Sequence, residues 1–338
     1  MPTDIITLNH GSGGRSSNQL IEAVFYEAFD NDLLRQGNDS VCLPMDFDGQ
    51  LAFTTDSYVV SPLFFPGGDI GHLAVNGTVN DLAMAGATPK YLSVAFILEE
   101  GFAIADLKRI CQSMASAAKE AEVRIVTGDT KVVERGKCDG VFINTSGIGV
   151  KPAAFSAAGD QAQPGDSVIV SGNVGDHGLT ILTQRENLEF GSGLESDTAP
   201  LNHLVRTLVN RFPNAIHSLR DATRGGLAAV VNELASQSKV SIHLHEKNIP
   251  VNAEVTAACE FLGLDPLTVA NEGKLVCICK QEHAEEILTC MREMQVARDA
   301  AIIGSVGSDR AGLVSIQSAF GGVRALAWPS GELLPRIC

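Results

Sequence analysis

Short runs of strand-like alternation and longer segments of helical period succeed one another along this 338-residue chain, which restricts it to a mixed α/β (α+β) architecture. After the first glycines, Leu20, Ile21, Val24, Phe25, Ala28 and Phe29 share one helical face, with Ser16 or Ser17 placed to cap it. That spacing predicts a helix over residues 16–34. Leu107, Ile110, Cys111, Met114 and Ala118 repeat the pattern and predict a second helix over 106–121. Residues 50–55, 91–98, 123–127 and 140–148 read as strands.

Residues 156–165, rich in Ala, Gly, Gln and Pro, break this periodicity, and a new strand over 167–170 follows at once. The expected organisation is therefore a domain over 1–155, a second α/β domain over 156–308 and a C-terminal segment over 309–338. In the second half, helices are expected near 179–185, 201–210, 226–236 and 283–294, with strands near 240–244, 275–279 and 301–306. Pro329 and Pro335 prevent a regular final helix, so an extended or mobile tail is expected.

The longest apolar stretch, residues 91–98, is far shorter than the roughly 18 residues a membrane span needs. The start, Met-Pro-Thr-Asp, lacks a basic region followed by an apolar one, so the chain reads as cytoplasmic with no membrane partner. Lys and Arg total 25 against 40 Asp and Glu, a net charge of −15 that repels a nucleic-acid backbone. A phosphate ligand on such a chain needs local help from a cation, a Lys or backbone N–H groups. The eight cysteines form no CxxC pair, which argues against a metal or disulfide framework. Cys277 and Cys279 read as small hydrophobes on a strand.

Two segments echo each other: 53–57 (FTTDS) and 126–130 (VTGDT) each end an apolar strand in an Asp flanked by small or hydroxylated residues. Carboxylates at two strand ends can converge on a cation, although ordinary turn chemistry explains such an Asp as well. Residues 10–15 (HGSGGR) stand just before a helix, where free N–H groups favour an anion, and a flexible linker is the plain alternative. Residues 172–178 (GNVGDHG) follow a strand and open a helix, but they match neither GxGxxG nor a Walker A pattern. Residues 221–226 (DATRGG) combine a guanidinium with two glycines before a helix and form a third candidate anion site.

Longer strings then carry a family resemblance: HGSGGRS, FTTDSYVVSPLFFPGGDIGHLAVNGTVNDLAMAGATP, VTGDTKVVERG, VSGNVGDHG, RDATRGGLA, ANEGKLV and a terminal PRIC. Together they resemble the HypE carbamoyl dehydratases of nickel–iron hydrogenase maturation. These belong to the superfamily of aminoimidazole ribonucleotide synthetase, selenophosphate synthetase and thiamine-monophosphate kinase. The resemblance runs almost end to end, and NEGK with the terminal cysteine motif is its HypE-specific part.

The resemblance implies two α/β domains, with first-domain strands pairing across a homodimer into a barrel, and ATP with Mg2+ in a cleft beside that sheet. It implies Asp56, Asp81 and Asp129 near the magnesium, and Asn80 beside them. Gly11, Gly13 and Gly14 fold over the nucleotide, and Asp221, Thr223 and Arg224 contribute to its site. Lys131 and Glu272 match the family's catalytic pair. A carbamoyltransferase partner, HypF, loads the terminal thiol, here Cys338. ATP-dependent dehydration then turns the thiocarbamate into a thiocyanate, and cyanide passes to the HypC–HypD complex for the hydrogenase iron.

The chemistry is coherent, because phosphorylating an amide oxygen makes it a good leaving group and removing the nitrogen-bound protons leaves a C≡N bond. The α-carboxylate of Cys338 disfavours its thiolate, which suits a group loaded by an activating partner. Pro335 and Arg336 can steer the tail, or merely keep an exposed end soluble. Two rivals remain: a kinase or cyclo-ligase acting on a free small molecule, and a carrier whose tail docks without turnover.

Overall fold

A computed structural model describes residues 4–12, 15–36, 40, 41, 43, 49–188 and 193–329. Gly13, Gly14, Cys42 and the terminal segment with Pro335, Arg336 and Cys338 lie outside the described residues. Helix α1 (Arg15–Leu20) passes through a π-helical turn (Ile21–Tyr26) into α2 (Glu27–Phe29). The helix expected to reach residue 34 stops here because Asp30 leaves helical geometry (φ −38°, ψ 114°). Asn31 then offers its Oδ1 to the N–H groups of Leu33 and Leu34 at 3.1 and 3.0 Å, an alternative to the helical ladder.

The chain continues through β1 (Gln50–Tyr58), the small hairpin β2 (Phe64–Phe65) and β3 (Gly68–Asp69), then α3 (Ile70–Met84). Next come β4 (Thr88–Glu99), α4 (Ile104–Glu120), β5 (Arg124–Val133) and β6 (Val141–Lys151). The four long strands form one sheet in the order β1-β6-β4-β5. The β4–β5 pair is parallel and joined through α4, while β1–β6 and β4–β6 are antiparallel. Asp69 caps α3 by accepting from Gly71 N and His72 N at 2.8 and 3.1 Å.

Helix α3 is buried on nearly every side and packs against β1, β6, α4 and α6. Its wall of Ile70, Leu73, Val75, Val79 and Leu82 is almost wholly sequestered, each such side chain worth about 1.5–3 kcal/mol. The opposite face of the sheet stays open, and Leu51, Phe53 and Ile97 are 55%, 71% and 42% exposed on its strands.

The second unit runs β7 (Ser167–Val170), α5 (Asp176–Arg185), α6 (Asn202–Arg211), β8 (Ile216–Asp221), α7 (Gly226–Ser238) and β9 (Ser241–His245). It continues with α8 (Ala253–Leu262), β10 (Leu275–Cys279), α9 (Ala284–Arg292), β11 (Ala301–Gly307), β12 (Val314–Gln317) and β13 (Val323–Ala325). Its strands form a seven-stranded sheet, β13-β12-β9-β11-β7-β10-β8, in which only β9–β12 pair parallel. Strands β7 and β10 are buried along their whole length, with Cys277 and Cys279 fully inside the core.

The two units meet where α3 packs on α6 and β8. Asn80 pins this junction: its Nδ2 donates to Ala199 O and Glu272 O, both at 3.1 Å, and its Oδ1 accepts from Leu201 N at 2.7 Å. Among the described residues, no helix is long and apolar enough to cross a membrane.

Candidate active site

Four acidic side chains lie near enough at the junction of the two units to feel one another's charge. Asp56 comes from β1, Asp81 from the last turn of α3, Asp221 from the end of β8, and Glu272 from the turn leading into β10. Thr54 donates its hydroxyl to Asp81 Oδ2 at 2.8 Å, which fixes that carboxylate over the β1 strand. Tyr58 lies buried beneath the group, its hydroxyl 3.3 Å from Thr78 Oγ1, and burial with the nearby Asp56 pushes its ionisation well up.

Burial raises Asp81 above the usual carboxylate range; Asp56 adds to that, while the Thr54 hydroxyl and Arg220 oppose it. Asp221 is pushed up to about 7, first by burial and then by Asp81. Glu272, only 4% exposed, is driven well above its ordinary value by burial, then by Asp197, Asp221 and Asp56, with Arg224 opposing. Carboxylates whose ionisation is opposed by burial and by one another gain from a nearby positive charge, such as a cation carried in on a phosphate. Thr223 and Arg224 sit in the turn between β8 and α7, where Thr223 O accepts from Gly226 N at 2.9 Å.

A second group stands on β5, at the far edge of the first sheet. Lys131 Nζ lies 2.8 Å from Asp129 Oδ2, and its ammonium holds the Asp129 carboxyl below the usual range. Both side chains are well exposed, at 66% and 61%. Gly11 abuts this strand so closely that a Cβ there would sit 2.9 Å from Val132 N, so any larger residue would displace the loop. Gly11, Asp129 and Lys131 rim a cavity of about 340 Å³ whose walls are Leu20, Phe25, Phe29, Val94, Phe96 and Ile125. An apolar chamber of this size with a glycine and a cation at its mouth suits a flat base inside and phosphates outside.

Within one chain these two groups remain apart. Asp56 is registered to Thr145, Thr145 to Val94 and Val94 to Gly128, so Asp56 and Asp129 lie three strands from each other. At the usual strand spacing that is on the order of 14 Å. Neither group forms a closed metal cage within one chain, since no group of three or more His, Cys, Asp or Glu close enough to hold a metal occurs among the described residues. Asp56 and Asp81 share one cluster, and Asp129 belongs to the other. Asn80 spends its amide on the unit junction, and Gly13, Gly14 and Cys338 lie outside the described residues.

Residue patterns alone assign no part to Tyr58, Arg220 or the Asp197–Lys274 ion pair at 3.3 Å, and they offer Thr54 only as a flanking hydroxyl. Thr54, Tyr58, Arg220 and Lys274 each fall inside a string that carried the family resemblance, next to or near a chosen residue. Asp197 is isolated in a loop and gives no signal of its own.

The AIR synthase related protein N-terminal domain family matches residues 37–151, and the corresponding C-terminal domain family matches 163–316. Fold and site therefore define a two-domain protein of the AIR synthase related class. The carbamoyl dehydratase HypE of Rhizobium leguminosarum bv. viciae is 55% identical over 333 residues, covering 98% of this chain and 95% of that protein. A crystal structure of the hydrogenase maturation protein HypE in complex with ATP matches with a TM-score of 0.94 and 52% identity, covering 98% of this chain and 99% of that one. A HypE–HypF complex structure matches with a TM-score of 0.81 and 49% identity, over 92% of this chain and 99% of that one. The chain belongs to the HypE family of carbamoyl dehydratases in hydrogenase maturation.

Proposed function

We propose that the chain uses ATP to dehydrate a thiocarbamate on its own Cys338 to a thiocyanate, providing the cyanide ligand of a nickel–iron hydrogenase. The observation that carries this reading is the buried Glu272 among Asp56, Asp81 and Asp221, in a chain 55% identical to a HypE along almost its whole length. HypF is the partner that loads the thiol, and HypC–HypD is the acceptor. The match to the HypE–HypF complex supports the first of these.

The 340 Å³ cavity would take the adenosine, with the Gly11 loop and Lys131 at the phosphates. Carboxylate oxygens of Asp81, Asp56 and Asp221 are the hard donors Mg2+ prefers, and with no three acidic groups among the described residues close enough to enclose a metal, the phosphate oxygens of the nucleotide would complete its coordination. When bound, the cation offsets charge on the transferring phosphoryl group.

The carbamoyl oxygen attacks the γ-phosphorus and ADP leaves. Two protons then leave nitrogen, the C–O bond breaks, and the oxygen departs in phosphate as C≡N forms. Burial and the neighbouring acids oppose ionisation of Glu272, so approach of positive charge favours the carboxylate that accepts a nitrogen proton.

The separation of the two groups supports a homodimer. A barrel that joins β1 of one copy to β5 of the other would carry the second copy's Asp129 and Lys131 toward the acid cluster. The same closure would cover Leu51, Phe53 and Ile97. The position of the last described residue also supports the role of the tail. Pro329 packs 3.5 Å from where a Gly225 Cβ would lie, next to Arg224. The nine residues after it, extended at ~3.3–3.6 Å each, reach about 30 Å, enough to enter the cleft or leave it.

Purified protein with ATP and Mg2+ tests the reading against a small-molecule kinase. ADP should form only when the tail is carbamoylated. Sustained phosphorylation of a free small molecule by the Cys338→Ala variant would contradict it.

A further inference from the structure

Glu272 is gripped by its main chain. Its N–H donates to Asp197 Oδ1 at 2.9 Å, and its carbonyl accepts from Asn80 Nδ2 at 3.1 Å. The neighbouring Gly273 lies flush against the backbone of 197, where a Cβ would fall 1.9 Å from Asp197 O. No other residue fits there without moving the loop.

Asp197 is itself deeply placed, with a side chain 4% exposed, and its second oxygen has no hydrogen-bond partner among the described residues. That oxygen faces Lys274 Nζ at 3.3 Å, and the Lys274 side chain is 11% exposed. The lysine stem passes tightly over Gly172, whose added Cβ would lie 3.0 Å from Lys274 Cε, and its ammonium also donates to Gly273 O at 3.2 Å. Lys274 is thus turned inward, onto the loop that carries Glu272. A carboxylate this deep is costly unless paired, and Lys274 stands 3.3 Å away as its counter-charge.

We propose that Asp197 is a positioning residue, whose Lys274-balanced carboxylate fixes the Glu272 main chain so that the Glu272 side chain meets the reacting nitrogen. The NEGK string then has a division of labour: Glu272 does the chemistry, Gly273 permits the close approach, and Lys274 serves the strut rather than the nucleotide. The inference rests on the dehydratase reading for the role of Glu272. The strut itself can be tested without turnover.

Two readouts on the full-length dimer separate these points. Amide exchange at Glu272 should quicken at least about tenfold in Asp197→Ala and remain slow in Asp197→Asn, which keeps an oxygen acceptor. Single-turnover water loss from the carbamoylated tail should slow at least about tenfold in Asp197→Ala, with ATP affinity held within about twofold. Asp197→Asn should recover most of that rate.

Lys274→Met strands the buried carboxylate and should slow water loss too, whereas Asp197→Asn combined with Lys274→Met should be faster than Lys274→Met alone. The proposal is overturned if Glu272 exchange is unchanged in Asp197→Ala, if ATP affinity falls in step with rate, if Asn behaves as Ala, or if the double variant gives no recovery. Absence of water loss from the parent protein would instead remove the dehydratase reading, with the exchange result still deciding the strut.

Discussion

Mixed dimers should recover activity that neither parent variant has. Asp56 and Asp129 lie three strands apart in one chain, and Lys131 is two residues beyond Asp129 on the edge strand β5. Under the proposed dimer, a site combining Glu272 with Lys131 would draw the two from different copies. Lys131→Ala and Glu272→Ala homodimers should each be slower than the parent by about 100-fold or more, the usual scale for removing a proton-transfer or charge-stabilising group. When the variants are co-expressed and pair at random, half the dimers are mixed. In a mixed dimer one site has both native residues and the other has neither. The preparation should show about one-quarter of parental activity per chain. Single-turnover assays on preparations selected by two different affinity tags should approach about one-half. If the mixture is no more active than the two variants measured apart, Glu272 and Lys131 act within one chain and the composite site is wrong.

Other outcomes are expected from the same geometry. Asp81→Asn keeps size and the contact to Thr54, so it should weaken ATP binding in the presence of Mg2+ and leave the thermal midpoint nearly unchanged. Equal affinity in variant and parent, measured calorimetrically with and without Mg2+, would count against the acid cluster. Asp176 gives a stability test: burial pushes it from 3.8 up to about 6, with the Asn252 hydrogen bond opposing and Asp197 adding. Because the folded pKa is raised, the folded chain binds this proton more tightly, and stability falls as pH rises from about 4 to about 6. The cost is complete above that window. Asp176→Asn should therefore stabilise the protein at pH 7.5 by up to roughly 3 kcal/mol, with the gain vanishing toward pH 4 in denaturant titrations. A gain that grows at lower pH would contradict the assignment.

Much of the fold is legible wherever one face of an element is wet. The strands 167–170 and 275–279 are observed with the expected bounds, and the helix expected over 106–121 appears as Ile104–Glu120. Helix α3 escapes periodicity because its residues are buried on almost all sides, leaving no polar face to set a period. Strand β8 and helix α8 were also unmarked. In α8, residues such as Phe261, 72% exposed, blur the stripe. At the site, the family strings point to Asp56, Asp81, Asp221 and Glu272, and the fold brings these within electrostatic reach of one another. Strand order is what the strings lack. The shared TTDS and TGDT frames suggest one place for Asp56 and Asp129, and only the order β1-β6-β4-β5 shows that they occupy opposite edges. The Asp197 strut was equally hidden, since one Asp in a loop has no pattern until its distance to Glu272 N is known.

The central claim is that the reacting carbon rides on the chain's own last residue, and mass spectrometry of the C-terminal peptide tests it most directly. After loading by the carbamoyltransferase, the peptide ending in Cys338 should gain one carbamoyl group, and after ATP and Mg2+ it should lose one water. Both changes should map to the Cys338 sulfur and be absent in Cys338→Ala. Carbamoylation or water loss at Cys42, Cys111 or another thiol, or ATP consumption with the Cys338 adduct unchanged, would contradict the account.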